Sequence, residues 1–217
     1  MYTLYYDYMT AAMAPHSVLA EIEVPYELVH VPLDRSRPAG YTARQPLGRV
    51  PVLGYDGVTV FESAAIVMHL CDLHPGAGLA PVPGTALRAH WYQWLVFYPA
   101  NLHAATKPFN YPERFTADPA CAGSVRDKGR ETSQRLFALL DARMGDGPWV
   151  LGERFSACDH ALHMFCTWIE QGMGDMARLS TYPNLARFVE RARRHSPGIR
   201  AMLAHHLDGG PENQDLR

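Results

Sequence analysis

The Pro- and Gly-rich stretch at residues 75–84 divides the sequence into two parts with different hydrophobic patterns. Six of its ten residues are Pro or Gly, so a helix or strand is not expected to continue through it. Short β-prone runs precede this stretch, whereas only helical patterns follow Leu87. We therefore predict two domains, at residues 1–76 and 86–217, joined by a linker at 77–85.

The first domain has the pattern of a β-α-β unit followed by a β-hairpin and a helix. Residues 2–6 and 26–32 are β-prone, and the apolar residues that follow Pro15 repeat at helical spacing. A helix between two such strands is the usual connection of a parallel pair. Asp56–Gly57 separates two further β-prone runs and is a strong signal for a tight turn. A helical pattern then begins at Glu62, which predicts one small mixed sheet with helices on its faces.

The second domain is predicted to be all-α. Its helical patterns extend over residues 86–107, 122–144, 157–171, 183–194 and 197–206. The fold class expected for the whole chain is therefore an α/β domain followed by an all-α domain.

Composition excludes several classes of partner. The formal net charge is −2 over 217 residues, which argues against a protein that binds nucleic-acid phosphates. Hydrophobic residues make up 47% and charged residues 19%, as in globular proteins, and no apolar window is long enough to cross a membrane. The first residues lack a signal-peptide pattern, and the four cysteines include no Cys-x-x-Cys pair. We expect a cytoplasmic protein with reduced cysteines.

Ser156 and Asp159 have the spacing of a helix capping box, with Asp in place of Glu. The same segment carries His160, His163 and Cys166, which are metal-ligand types at one-turn spacing. A buried capping box would use the Asp159 carboxylate, and no second cluster completes a ligand set. We therefore predict a structural role and no metal.

Four motifs and the order of elements resemble the soluble glutathione transferase superfamily over almost the whole chain. The motifs are Gly48–Leu53, Phe61–Ile66, Ser156–Asp159 and Tyr182–Leu185. The resemblance implies a thioredoxin-like domain followed by an all-helical domain. It also implies a homodimer that uses glutathione as co-substrate and conjugates its thiolate to a small hydrophobic electrophile, as in detoxification.

The resemblance also implies which residues bind glutathione. Val50 and Pro51 match a segment that ends in a cis-proline and presents the backbone to the cysteinyl part of glutathione. Glu62 and Ser63 match a pair that holds the γ-glutamyl end. A serine at a helix start suits a carboxylate on physical grounds too. Taken alone, Ser63 favours the role of a helix cap, and its spacing from Val50–Pro51 favours glutathione binding. The remaining candidates are two arginines for the cysteinyl-glycine end, Arg35 and Arg49.

The thiol-activating residue differs among members of this superfamily. Thr10 lies on the position of the Ser-using members and is our first candidate, with an ordinary helix cap as the alternative. Tyr6 lies on the position of the Tyr-using members and is our second. Ala11 lies where the Cys-using bacterial members have their cysteine. The expected electrophile pocket contains Tyr8, His103 and Phe109.

Two other functions are consistent with the sequence. The loop before the first helix has no cysteine, and either Thr10 or Tyr6 is the activating hydroxyl. The reaction type therefore stays open, and a glutathione-dependent disulfide reductase or isomerase is one alternative. A transferase-like binding protein without activity is the alternative from a different class, although the retained Glu62, Ser63 and Val50–Pro51 argue against it.

Overall fold

The computed structural model describes residues 1–33, 37–145, 147–172 and 176–207. Two compact units make up the chain. Unit 1 contains residues 1–80 together with the described residues from Ala192 onward, and unit 2 contains Pro81–Arg191. The last helix of the chain therefore belongs to unit 1, although the sequence pattern assigns it to the helical domain.

Unit 1 contains one four-stranded sheet. Its strands are β1 (Tyr2–Tyr6), β2 (Tyr26–His30), β3 (Val52–Tyr55) and β4 (Val58–Phe61). They lie in the order β2-β1-β3-β4, with β2 parallel to β1 and the other neighbours antiparallel. This confirms the predicted mixed sheet.

The elements of unit 1 form where the local sequence favours them. The hairpin between β3 and β4 turns at Asp56 and Gly57, both with positive φ (45° and 78°), which is the conformation of a type I′ turn. Helix α1 (Met13–Glu21) connects the two parallel strands, and α2 (Ser63–Leu73) follows β4. The first domain therefore has the predicted β-α-β-β-β-α order.

The remaining helices confirm the predicted all-α character of the second part of the chain. They are α3 (Ala86–Phe97), α4 (Ala104–Asn110), α5 (Ala122–Met144), α6 (Ala157–Glu170), α7 (Pro183–His195) and α8 (Pro197–Leu207). A π-helical segment at Tyr98–His103 separates α3 from α4, so the helix predicted at 86–107 is irregular in its middle. None of the described helices has the length and apolar character needed to cross a bilayer.

Candidate functional site

The register of the sheet brings three segments of unit 1 to one edge. Tyr5, near the end of β1, is paired with Val52, the first residue of β3. Val52 is in turn paired with Phe61, the last residue of β4. Because neighbouring strands lie about 4.8 Å apart, the segments that continue from these residues start side by side. The loop after β1, the Val50–Pro51 peptide and the Glu62–Ser63 pair therefore share one edge of the sheet.

Asp7 holds the loop that follows β1. Its carboxylate accepts hydrogen bonds from the Tyr8 amide (2.8 Å), the His30 Nε2 (2.9 Å) and the Leu33 amide (2.8 Å). Its carbonyl accepts the Thr10 hydroxyl. Asp7 thereby joins the end of β1 to the end of β2. Sequence reasoning missed this residue, since an aspartate after a strand is ordinarily a solvated loop residue.

Thr10 is half-buried in this loop, and its hydroxyl has two partners. It donates to the Asp7 carbonyl at 2.7 Å and accepts from the Ala12 amide at 3.3 Å. The cap position of α1 is occupied by Ala12, and no side chain caps that helix. Thr10 is thus a loop residue whose hydroxyl proton is directed to a carbonyl.

Tyr6 is almost fully buried, with 4% of its surface exposed. Its hydroxyl donates to the Tyr8 hydroxyl at 3.4 Å, and its ring packs edge-on against Tyr8 and His205. Tyr8 is half-buried in the same loop as Thr10. Of the two tyrosines, Tyr8 therefore has more surface available to a ligand.

The Val50–Pro51 peptide bond is cis, and buried polar groups hold the chain leading to it. The side-chain oxygen of Gln45, a residue 3% exposed, accepts the amides of Leu47 (2.6 Å) and Arg49 (3.1 Å). Tyr41 donates its hydroxyl to the Arg49 carbonyl at 2.8 Å. These contacts fix the backbone of Arg49, whose side chain is exposed. Sequence reasoning missed Gln45 and Tyr41, because this irregular segment has no periodic pattern.

The two arginines near the end of β2 differ. Arg35 lies outside the described residues. Arg37 donates to three carbonyls, those of Gly48 (2.5 Å), Pro32 (2.7 Å) and Leu33 (3.3 Å). Arg37 therefore connects this loop to the segment before Pro51.

Glu62 and Ser63 form the start of α2. Glu62 occupies the cap position with φ 73° and ψ 114°, and no side chain caps the helix. A non-glycine residue with positive φ is uncommon, and such residues cluster at binding sites. Ser63 is the first helical residue and is half-buried. The amides of the first helical turn have no partner within the helix and favour an anion there.

The two candidate residues of unit 2 lie in different surroundings. His103 is half-buried, with its ring 5.4 Å from the ring of Trp168. Phe109 is 2% exposed and lies beneath Arg130, whose guanidinium carbon is 5.4 Å from the ring centre. Phe109 therefore has little surface to offer a ligand, because α5 covers it.

The predicted capping box at the start of α6 is confirmed. Asp159 is fully buried and accepts the Val150 amide (2.8 Å), the Ser156 amide (2.8 Å) and the Ser156 hydroxyl (3.1 Å). Burial raises the pKa of Asp159 to about 7, while these hydrogen bonds act in the opposite direction. No group of His, Cys, Asp and Glu among the described residues has an arrangement that could hold a metal ion. All four cysteines are free thiols, and only Cys121 is exposed.

Two family models match the chain. The N-terminal domain of glutathione S-transferase matches residues 1–72, and its C-terminal domain matches residues 123–191. Together they cover about two thirds of the sequence.

Similar individual proteins include glutathione S-transferases and a disulfide-bond oxidoreductase. A glutathione S-transferase of Xanthomonas campestris is 26% identical over 169 residues, which are 78% of this chain and 83% of that protein. The disulfide-bond oxidoreductase YfcG of Escherichia coli is 27% identical, and the match covers 91% of each protein. Among solved structures, a sphingomonad glutathione S-transferase complexed with glutathione is 27% identical, with a TM-score of 0.80. That match covers 93% of this chain and 96% of the other.

Proposed function

Because the chain belongs to the glutathione S-transferase superfamily, we propose that it binds glutathione in unit 1 and conjugates its thiolate to small hydrophobic electrophiles. The observation that carries this proposal is the sheet register. It brings the loop after β1, the Val50–Pro51 peptide and the start of α2 to one edge, as one extended ligand requires. The structure of the sphingomonad relative with glutathione supports the same ligand.

Each part of glutathione has a chemical partner at this edge. The γ-glutamyl carboxylate binds at the start of α2, where Ser63 and the first amides offer hydrogen bonds. The adjoining ammonium pairs with Glu62, which stays exposed. The Val50 backbone holds the cysteinyl part, and the exposed Arg49 attracts the glycyl carboxylate. The thiol then lies towards the loop that contains Thr10.

Thr10 is the proposed activating hydroxyl, and its present partner limits its effect. To donate to the thiolate, the hydroxyl must leave the Asp7 carbonyl. A bond to a charged group stabilises by about 1.5–3 kcal/mol and a neutral bond by about 0.5–1.5, so the exchange gains about 1 kcal/mol. The start of α1 adds about 0.3–1 kcal/mol. Together they lower the thiol pKa by about one to one and a half units.

Variants at two hydroxyls test this assignment. Thr10→Ala is expected to raise the pKa of the bound thiol by about 0.7 unit, whereas Thr10→Ser retains the lower value. Tyr6→Phe tests the second candidate and is expected to leave the pKa unchanged, since the Tyr6 hydroxyl is buried against Tyr8. The measurement is the ultraviolet absorbance of the thiolate in the complex as a function of pH. An unchanged pKa in Thr10→Ala removes Thr10 from the mechanism.

A disulfide reductase that uses glutathione is the second candidate function. The observation that favours it is the similarity to the disulfide-bond oxidoreductase YfcG. The loop after β1 has no cysteine, with Ala11 where Cys-using members have theirs. Reduction would therefore proceed through the glutathione thiol and not through a protein thiol in this loop. Parallel assays with an aryl halide and with a small disulfide separate the two activities.

Calorimetric titration of glutathione tests the site itself. We expect micromolar-to-millimolar binding to the wild-type protein and its loss in Ser63→Ala. Ser124→Ala is the matched control, because its hydroxyl is exposed on α5 and should leave binding unchanged. Failure of the wild-type protein to bind millimolar glutathione contradicts every enzymatic reading and favours the non-catalytic binding protein. Sedimentation analysis of the same sample tests the predicted homodimer.

A further inference from the structure

Helix α8 packs on α1 and β1 through a cluster of three histidines. The ring centres of His16, His205 and His206 form a triangle with sides of 5.2, 5.2 and 5.4 Å. His16 belongs to α1 and is 2% exposed, and His206 is 1% exposed. Tyr6 lies 4.9 Å from His205 and 5.6 Å from His206, so β1 closes one side of the triangle.

The imidazole nitrogens of this cluster are poorly satisfied. Neither nitrogen of His206, nor the Nδ1 of His16, nor the Nε2 of His205 has a hydrogen-bond partner among the described residues. The other nitrogen of His16 contacts the Tyr26 hydroxyl at 3.1 Å. A neutral imidazole tolerates such a site better than an imidazolium, since a buried charge without a partner is far more costly than a buried neutral group.

Among residues 1–33, 37–145, 147–172 and 176–207, few charged groups face the cluster. β1 presents Tyr6, β2 presents Tyr26 and His30, and the loop after β1 presents Tyr8. The carboxylate of that loop, Asp7, already binds His30 and two amides. Burial and the neighbouring histidines lower the pKa of His16 and of His206 to about 3. Burial and His30 also lower the pKa of His205.

The opposite end of α8 is anchored by different chemistry. The Glu21 carboxylate of α1 accepts the Gly198 amide at 2.8 Å and also the Ser196 hydroxyl. A Cβ atom at Gly198 would lie 2.3 Å from the Ser17 carbonyl oxygen, so the two helices approach as closely as only glycine permits. The histidines are thus at the far end of α8 from this anchor.

We infer that the histidine cluster makes the packing of α8 on α1 and β1 sensitive to pH, so that acid releases the end of α8 that carries His205 and His206. Protons bind the histidines more tightly when α8 is detached and the rings are solvated, so each proton taken up favours the detached state. The inference does not depend on glutathione binding. A metal site is not inferred from these rings, because no described group has metal-binding geometry.

Amide hydrogen exchange measures the opening of α8 directly. With ordinary values near 6.5 for solvated histidine, each of His16 and His206 makes opening about tenfold more favourable between pH 7.5 and pH 5.5. The two together predict a rise of about 100-fold for the amides of α8, after correction for intrinsic exchange. The amides of α6 in unit 2 serve for comparison, because the raised pKa of Asp159 is expected to lower their exchange over the same range and not to raise it. A rise in α8 of less than about threefold, or an equal rise in α6, overturns the inference.

A pair of variants separates the cluster from a general effect of acid. His206→Leu keeps an apolar group in place and removes one titrating ring, so the pH effect on α8 should fall from about 100-fold to about tenfold. His90→Gln is the control, since His90 is exposed on α3, and it should leave the 100-fold effect unchanged. If His206→Leu does not fold, the wild-type comparison of α8 with α6 still decides the question. An undiminished effect in folded His206→Leu contradicts the role of that ring.

Discussion

Two buried polar groups, one in each unit, illustrate two ways of placing polar atoms in a core. Asp159 in unit 2 is fully buried and accepts three hydrogen bonds from Val150 and Ser156. His206 in unit 1 is just as deeply buried, yet neither of its ring nitrogens has a partner among the described residues. The first group is satisfied by residues within ten positions of it. The second group has only ring contacts, with Tyr6 and His16 from the other end of the chain.

This difference determines what each group contributes. A buried carboxylate with several donors stabilises the fold strongly, because removing it leaves those donors unpaired. A buried ring without partners contributes mainly apolar packing, and its polar atoms make the packing conditional on the neutral form. We therefore expect Asp159 to be essential for stability and His206 to be replaceable by an apolar residue near neutral pH.

The largest expected effect is that of Asp159→Ala. This change leaves the buried amides of Val150 and Ser156 without an acceptor, so the free energy of unfolding should fall by about 3–5 kcal/mol. Urea unfolding measures it. Asp127→Ala is the matched control, because Asp127 pairs with Arg130 on the exposed face of α5 and should change stability by about 0.5 kcal/mol or less. Equal losses of stability in the two variants would show that the buried hydrogen bonds of Asp159 do not stabilise the fold more than an exposed ion pair does.

The second prediction concerns the sign of the pH dependence. Asp159 has a raised pKa of about 7, so the folded state binds its proton more tightly than the unfolded state does. Its contribution to stability therefore increases, by up to about 2 kcal/mol, as the pH falls from 7.5 to 5.5. The histidines act in the opposite direction, because their pKa values are lowered.

Exchange of the α6 amides over the same pH range checks this sign. Their corrected protection should rise on acidification while that of α8 falls, and Asp159→Asn should abolish the rise. Parallel loss of protection in α6 and α8 would show that the two buried groups respond alike.

The smallest of the three effects is expected from Ser156→Ala. This change removes the cap of α6 but retains the Asp159 carboxylate, so it should cost about 1 kcal/mol. Ser124→Ala removes an exposed hydroxyl that binds the Cys121 carbonyl, and its effect should stay within about 0.5 kcal/mol. Thermal unfolding of both variants makes the comparison. If Ser156→Ala lowers stability as much as Asp159→Ala does, the Ser156 hydroxyl and not the Asp159 carboxylate is the main stabilising group of the capping box.

Local signals were sufficient for most of the fold. The turn at Asp56–Gly57 and the capping box at Ser156 depend on a few neighbouring residues, and both occur as predicted. The helical patterns located α5 to within a residue, because a pattern that repeats over many turns defines where the helix begins and ends. The same patterns missed the π-helical segment at Tyr98–His103, where hydrophobic spacing does not distinguish the two kinds of helix.

Contacts between distant segments were not predictable in this way. Asp7 binds Leu33, and the ring of His16 meets those of His205 and His206, although nothing in the local sequence of either partner indicates the other. The polar network of Gln45 depends on a loop without periodicity. For the glutathione site, the resemblance supplied the candidate residues, and the register of the sheet supplied the reason why they share one edge.

The division of unit 1 between both ends of the chain has a consequence during protein synthesis. The ribosome completes the sheet and α2 roughly a hundred residues before it reaches Ala192, and unit 2 emerges in between. At about 5–20 residues per second, the surface of α1 that later contacts α8 waits on the order of five to twenty seconds without its partner. During that interval the face of α1 that carries His16, Ser17 and Glu21 stays without the helix that later packs on it.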